Sequence, residues 1–400
     1  MSALARALRA TLALARGACA WGAAAALLVR ALGLTLSDRF HGSQYLAWTP
    51  AWASLGAATL LLALWWLLRW MTPKPRPSRW TNPGAPVLTA LTLAGTLHML
   101  VVDWRVPAGF ITPARDPASV RALVWNPSWE PMSAFHERLL EHAPDVILVS
   151  NPHHRADWVT LRERMGEHTY ALRQGLLVVV SRYPIRRFGW TPLAIRDEPD
   201  RPAWWKVPRT STSGGEAMFL ELDVPAWEAR GASPCTIWFV DLPSDMWIHR
   251  DRMLREAAAS IAAFRGPVLM RDDAGRDVPE KALRLGALLP DGGFSTTPAG
   301  DALGFPAPDL VVGDFNTPRG SRSLRHLVGD MSHAHDQAGL GPNTTFPRPL
   351  GVTPIDHVFV GPRLRATGYR VVDPGASRHY AQIVDLAPAT PVPTRARGAE

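Results

Sequence analysis

Leu310-Val311-Val312-Gly313-Asp314-Phe315-Asn316-Thr317-Pro318 joins a strand to a chemical site within nine residues. Three apolar residues, two of them β-branched, form the end of a buried strand that stops at Gly313. Asp314 and Asn316 lie two positions apart, so on extended backbone both side chains face the same side at the rim of a sheet. A carboxylate there can serve as a general base, and the amide can hold a water or a phosphoryl oxygen beside it. The same residues can equally form an Asx turn that closes an ordinary strand. Partners elsewhere in the chain decide between the two.

On either side, short apolar runs alternate with polar stretches. Arg121–Asn126, Asp145–Asn151, Leu176–Ile185, Ala217–Val224 and Thr236–Leu242 read as strands upstream, and Ile355–Val360 and Tyr380–Leu386 downstream. Met132–His142 and Ile248–Phe264 have helical spacing, the second with Leu254, Ala257, Ile261 and Phe264 on one face. Gly266–Gly304 is rich in Asp, Gly and Pro and reads as a surface excursion, and residues 389–400 as a disordered tail. Strands grouped around occasional helices predict a two-sheet α/β sandwich over residues 120–388 rather than a regular βαβ array.

The first 104 residues read differently. Ala47–Leu68 has 22 residues without a formal charge, enough to cross a ~30 Å hydrocarbon core. Ala85–Val102 is a second span, with Trp80 and Trp104 outside it as interfacial anchors. Leu12–Leu34 is a third, interrupted by Arg16 and Arg30, and a cleaved signal peptide is its rival reading. About three transmembrane helices therefore precede a linker at residues 105–119. Arg6, Arg9 and Arg16 flank one side, and Arg69, Lys74, Arg76 and Arg79 flank the end of the second span. The positive-inside rule predicts that these segments are cytoplasmic and that everything after Trp104 lies across a membrane of the bacterial inner type.

Charge narrows the partners. Residues 1–104 hold nine Lys or Arg against two Asp or Glu, leaving 34 against 33 in the rest, so the net +8 belongs mostly to the apolar part. A nearly neutral C-terminal part lacks the basic stripe that long nucleic acid requires, and the apolar spans make the bilayer the expected partner of the N-terminal part. Cys19 and Cys235, in a span and a strand, do not predict a disulfide. No Walker loop, nucleophile elbow or CxxC occurs. Pro152-His153-His154 and His333-Ala334-His335-Asp336 lack a third ligand at metal-site spacing and read as loop histidines. Trp204-Trp205 and Trp247 are groove aromatics or packing between layers.

Six ordered motifs supply the partners of Asp314. Trp125-Asn126, Pro144-Asp145-Val146-Ile147-Leu148, Ser181-Arg182-Tyr183-Pro184-Ile185, Gly313-Asp314-Phe315-Asn316, Pro354-Ile355-Asp356-His357-Val358-Phe359-Val360 and Ser377-Arg378-His379 together resemble the endonuclease/exonuclease/phosphatase family. The resemblance implies a four-layered α/β sandwich with two central mixed sheets flanked by helices, and Mg²⁺-dependent cleavage of phosphomonoesters or phosphodiesters. A membrane-tethered subset with an extracytoplasmic hydrolase domain is the architecture it looks most like. Carried over, it implies that Asp314 is the general base, that Asn316 orients nucleophile and phosphate, that Asp356 fixes His379 against the phosphate, and that Asn126 is the first-strand asparagine.

Three matching positions depart from the pattern. Asn151 stands where the principal metal-ligating glutamate is expected, Arg378 where a second acid precedes the histidine, and Asp241 where a strand histidine is expected. Mg²⁺ takes hard, preferably anionic oxygen donors, so losing one carboxylate and gaining a cation argues against a conventional Mg²⁺ site. Asp241 is then the metal-ligand candidate, with Asp157 or Asp245 if the match slips by a few residues. Asn151 and Arg378 become candidates for binding substrate; Arg378 either grips a phosphate through its planar fork or is a plain surface residue. The resemblance implies two functions: a membrane-anchored phosphoester hydrolase acting on a phosphorylated small-molecule or lipid-linked ligand outside the cytoplasm, or a degenerate relative that keeps the fold and binds such a phosphorylated ligand.

Overall fold

A computed structural model describes residues 3–71, 84–110, 118–131, 136–153, 157–166, 169–195, 214–266, 268–271, 294–297 and 304–389. The N-terminal part is helical: α1 (Ala3–Leu36), α2 (His41–Ala47), α3 (Ala51–Met71) and α4 (Ala85–His98), the last continued by a π-helical turn, Met99–Asp103. Three stretches, Arg6–Leu36, Ala51–Met71 and Ala85–Asp103, are long and apolar enough to cross a membrane. Two expected boundaries move. The first span is a longer helix that runs well N-terminal of Leu12. The second cannot begin at Ala47, because that residue ends α2 and Pro50 separates it from α3. Small residues let the helices approach: Ala23 and Ala58 are fully buried between them.

The remainder is a sandwich. Its strands are β1 (Val120–Trp125), β2 (Val146–Ser150), β3 (Tyr170–Gln174), β4 (Leu177–Ser181), β5 (Ile185–Pro192), β6 (Glu216–Leu222), β7 (Cys235–Asp241), β8 (Val268–Arg271), β9 (Phe294–Thr297), β10 (Leu310–Asp314), β11 (Ser332–His333), β12 (Asp356–Val360), β13 (Leu364–Val372) and β14 (Ala381–Pro388). Interleaved with them are α5 (His136–Leu140), α6 (Asp157–Met165), α7 (Pro225–Glu228), α8 (Arg250–Ala262), α9 (Arg325–Val328) and α10 (Ala334–Ala338). One six-stranded sheet has the order β13-β14-β1-β2-β4-β3, and an eight-stranded sheet the order β11-β12-β10-β7-β6-β5-β8-β9. Both are mixed: β1 pairs parallel with β2, and β7 parallel with β10, while the other strand pairs are antiparallel.

Alternation fills the layers. Met218 and Leu220, Ile237 and Phe239, Leu310 and Val312, and Val358 and Val360 pack with β1, β2 and β4 in the core shared by the two sheets. The intervening Ala217, Phe219, Val240 and Val311 face the other way, onto Met253, Leu254, Ala257 and Ile261 of α8. Each fully buried Val, Leu, Ile, Phe or Met among them contributes about 1.5–3 kcal/mol of transfer free energy. The expected Leu176–Ile185 strand is two elements, since Ser181 ends β4 and β5 starts after Pro184 in the other sheet. The Gly266–Gly304 excursion contains two paired strands, β8 and β9, that extend the edge of the larger sheet. Residues 390–400, Trp204, Trp205 and His154 lie outside the described residues.

Candidate active site

Four carboxylates stand in one row across four neighbouring strands. In register, Glu216 of β6 faces Asp241 of β7, Asp241 faces Asp314 of β10, and Asp314 faces Asp356 of β12. Paired residues project to the same side of a sheet, here the inter-sheet side that also holds Met218, Phe239 and Val312. The row ends the apolar core and opens into a cavity of about 930 Å³.

The chain must be glycine at 313 for this row to form. Gly313 has φ +131, and a Cβ there would fall 1.9 Å from the Val240 carbonyl oxygen. No side chain fits between β7 and β10 at that point. Two site residues, Asn151 (φ 52) and Asn316 (φ 46), occupy the left-handed region, which asparagine enters more readily than other non-glycine residues. Ser377 (φ 70) joins them beside the histidine loop.

Asp314 is held on both oxygens. Asn126 donates Nδ2–H to Oδ2 at 2.8 Å, and the Asn316 backbone N–H donates to Oδ1 at 2.9 Å. The Asn316 side-chain amide donates to the Leu242 carbonyl at 2.7 Å, so its nitrogen braces the β7 end rather than facing a ligand. His379 Nδ1 is 2.9 Å from Asp356 Oδ2, and its Nε2 is 4.0 Å from Asp314 Oδ2, outside hydrogen-bond reach. The histidine loop is anchored at both ends: Trp125 donates Nε1–H to the His379 carbonyl at 3.3 Å, and Ser377 donates its hydroxyl to the Asn126 carbonyl at 2.6 Å. Thr345 Oγ1 accepts from the Ile355 and Asp356 N–H groups, each at 3.1 Å, and so fixes the acid of the pair.

Burial sets the protonation states. Loss of water, reinforced by the charge of Asp356, raises Asp314 to about 7. Loss of water, reinforced by Asp314, raises Asp241 well above the usual carboxylate range, although the Asn151 amide donates to its Oδ1 at 3.1 Å. Glu216 is raised by its burial, against hydrogen bonds from the Leu176 N–H and Trp190 Nε1–H. Burial alone would lower His379, but Asp356, Asp314 and Asp241 outweigh it and the imidazole rises to about 9.

All eight residues expected at the site meet here. Asn126, Asn151, Asp241, Asp314, Asn316, Arg378 and His379 line the cavity, and Asp356 stands behind His379. Arg378 is exposed and lies 5.0 Å over the Phe346 ring, at the mouth rather than among the carboxylates. Its cation therefore stays out of the acidic row. Burial raises Asp241, Asp314 and Glu216, against the charge of His379 at the first two. Among the described residues, the group whose donor atoms lie close enough to share a metal ion is Asp314, Asp356 and His379, with one donor atom of each within 4.8 Å of the others, and its two carboxylates suit a hard divalent cation.

Other expectations resolve differently. His333 and His335 are not loop histidines: both are buried, and His333 caps α10 by accepting the His335 N–H at 3.1 Å. Burial and the neighbouring His357 hold His333 well below its ordinary pKa, a packed neutral imidazole. His153, by contrast, is the exposed loop histidine expected, and it does not line the cavity. Trp247 packs edge-on against His41 and Tyr45 around α2. Among the cavity residues that escaped the sequence reading are Glu216, one position before its strand was expected to start, Arg250, which opens α8, and Trp48, inside the span expected from Ala47. No spacing signal links them, because they come from different parts of the chain.

The sequence of residues 124–379 matches the model of the endonuclease/exonuclease/phosphatase family. The chain belongs to the endonuclease/exonuclease/phosphatase family. A comparison with curated proteins finds no match. Among solved structures, the chain is similar to an endonuclease/exonuclease/phosphatase family protein from Bacteroides thetaiotaomicron, with 14% identity, 68% of this chain and 98% of that one covered, and a TM-score of 0.42. It is likewise similar to the mannosyl-6-phosphatase Bt3783 of the same organism, with 14% identity, 67% and 100% covered, and a TM-score of 0.41. A third is D. rerio TDP2 complexed with a single-strand DNA product, with 11% identity, 68% and 100% covered, and a TM-score of 0.41.

Proposed function

We propose that the protein is a membrane-anchored phosphoester hydrolase whose sandwich domain lies outside the cytoplasm. The observation that carries this reading is the Asp314–His379–Asp356 arrangement, a carboxyl near 7 facing an imidazolium near 9 across a ligand-sized cavity. Around neutral pH, ionised Asp314 takes a proton from a water whose oxygen bonds to phosphorus; the ester P–O bond breaks, and the leaving oxygen departs with its electron pair and takes up a proton from solvent. His379 holds its Nδ1 proton against Asp356 and presents Nε2–H to a phosphoryl oxygen, where negative charge builds. Asn126 and the Asn316 N–H keep the base oriented, and Arg378 meets the phosphate at the mouth. A divalent cation, with Asp241 as its candidate ligand, would neutralise charge on the phosphoryl group.

Purified full chain in detergent is assayed on an aryl phosphomonoester and an aryl phosphodiester, with Mg²⁺, Mn²⁺ or EDTA. Metal-dependent release is expected for the wild type. Asp314→Asn should lower it by about 10²–10⁴-fold, the scale of general acid–base catalysis. Asn151, hydrogen-bonded to Asp241 in place of an anionic ligand, favours a second reading, a phosphate-binding relative without turnover. Metal-independent binding of inorganic phosphate without release from either ester would select that reading.

A further inference from the structure

The helical N-terminal part does more than anchor the sandwich: it builds one wall of the cavity. Gln44 of α2 donates Nε2–H to the Met246 carbonyl at 3.2 Å and accepts the Arg250 N–H on Oε1 at 3.1 Å, so it caps the first turn of α8. Tyr45 donates its hydroxyl to the same Met246 carbonyl at 3.1 Å. Asp38, fully buried between α1 and α2, accepts the Ser323 N–H at 3.2 Å and the Ser323 hydroxyl. On the far side, Arg105 after the last apolar helix donates to the His335 carbonyl at 2.9 Å, and the Gly341 N–H to the Trp104 carbonyl at 2.7 Å. Both exits from the helices are thus tied to the sandwich.

Trp48, between α2 and α3, lines the same cavity as Asp314 and His379, together with Met246 and Arg250. Arg250 is only 1% exposed, lies 5.1 Å over the Trp48 ring, and its Nε has no partner. It forms no ion pair among the described residues, and burial lowers it only to about 10, so a buried cation faces the cavity. An anionic group is what such a cation accepts.

Length sets the depth of this wall. The 21 residues of α3 rise about 31 Å at about 1.5 Å each, which matches a ~30 Å hydrocarbon core. Ala51 then stands at the edge of the core. Trp48 is three residues ahead of it, at most about 10 Å of chain, on the headgroup side of that edge. Met246, whose carbonyl Gln44 and Tyr45 hold, lines the cavity with an apolar side chain that is 49% exposed.

We propose that the cavity draws its substrate from the bilayer: a phosphoester lipid whose headgroup reaches Asp314 while its acyl chains remain in the leaflet against Trp48 and Met246. This rests on the hydrolase reading above. The full chain is reconstituted in phosphatidylcholine vesicles, and long-chain phosphatidic acid and phosphatidylglycerol are compared with their short-chain soluble forms. The long-chain form should be cleaved with a kcat/KM at least about tenfold higher, and Trp48→Ala and Met246→Glu should each remove most of that ratio. Equal rates for the two forms, unchanged in both variants, would overturn the inference and leave the hydrolase intact. Absence of turnover of either form while the aryl esters are still cleaved would overturn the inference and leave the hydrolase intact; if the aryl esters are not cleaved either, the hydrolase reading fails, and a photoactivatable long-chain phosphatidic acid in the same vesicles then decides. Labelling of peptides containing Trp48 and Met246 supports the bilayer route; labelling confined to α1, α3 and α4 overturns it.

Discussion

His379 shows how one contact sets a working range. Its imidazole is buried, which favours the neutral form, yet the Asp356 carboxylate at 2.9 Å and the more distant Asp314 and Asp241 raise it to about 9. Asp314 needs to be ionised and His379 protonated, so kcat/KM should rise through about pH 7 and fall through about pH 9. Because the folded pKa of His379 exceeds its unfolded value near 6.5, the pair's contribution to stability is complete below about pH 6.5 and disappears as pH rises through 9. Asp356→Asn should therefore lower the His379 midpoint in an NMR titration, narrow the activity profile from its alkaline side, and destabilise the fold at pH 7 more than at pH 10. An unmoved midpoint would show that the pair does not govern the histidine. At Asn151 the same scale of reasoning counsels against a simple reversion. Its φ of 52 suits asparagine, so Asn151→Glu adds a carboxylate at a conformational cost of about 1–2 kcal/mol.

At the scale of elements, the site depends on how β7 and β10 pair. They run parallel, with Asp241 beside Asp314, and Gly313 is the point of closest approach. A methyl group at 313 meets a backbone oxygen, which cannot rotate away as a side chain would. Gly313→Ala should cost more than about 3 kcal/mol, beyond the usual range for overpacking, and chemical denaturation of the full chain in detergent measures it. A change below about 1 kcal/mol would mean that the two strands separate freely. α8 was legible from its apolar face, since Leu254, Ala257 and Ile261 do pack on the sheet. Its role at the site was not, because Arg250 and the Gln44 cap belong to the opposite end of the helix and to another part of the chain.

At the scale of the molecule, the three apolar helices and the sandwich form one body through Asp38, Gln44, Tyr45 and Arg105. The chain between α1 and α3 and the chain after α4 both reach the sandwich, two segments that three membrane crossings would put on one side. Combined with the basic flanks at Arg6–Arg16 and Arg69–Arg79, this predicts that the sandwich is extracytoplasmic. An alkaline-phosphatase reporter fused after Pro388 should be active and a reporter that fluoresces only in the cytoplasm should be silent; the reverse pair of results would invert the orientation.

The sequence by itself determined what is local or ordered along the chain. Alternation marked the strands that face both core layers, uncharged length marked the apolar helices, and Asn126, Asp314, Asn316, Asp356 and His379 stood in recognisable motifs. Register was decided only in three dimensions, because it depends on which strands become neighbours: that is what sets Glu216, Asp241, Asp314 and Asp356 in one row and raises Asp241 and Asp314. Tertiary structure also kept Arg378 on Phe346 at the mouth and carried Trp48 of the helical part to Arg250 of the sandwich. These contacts join residues tens to hundreds of positions apart, and their energies come from burial and charge at close range, which no linear spacing encodes.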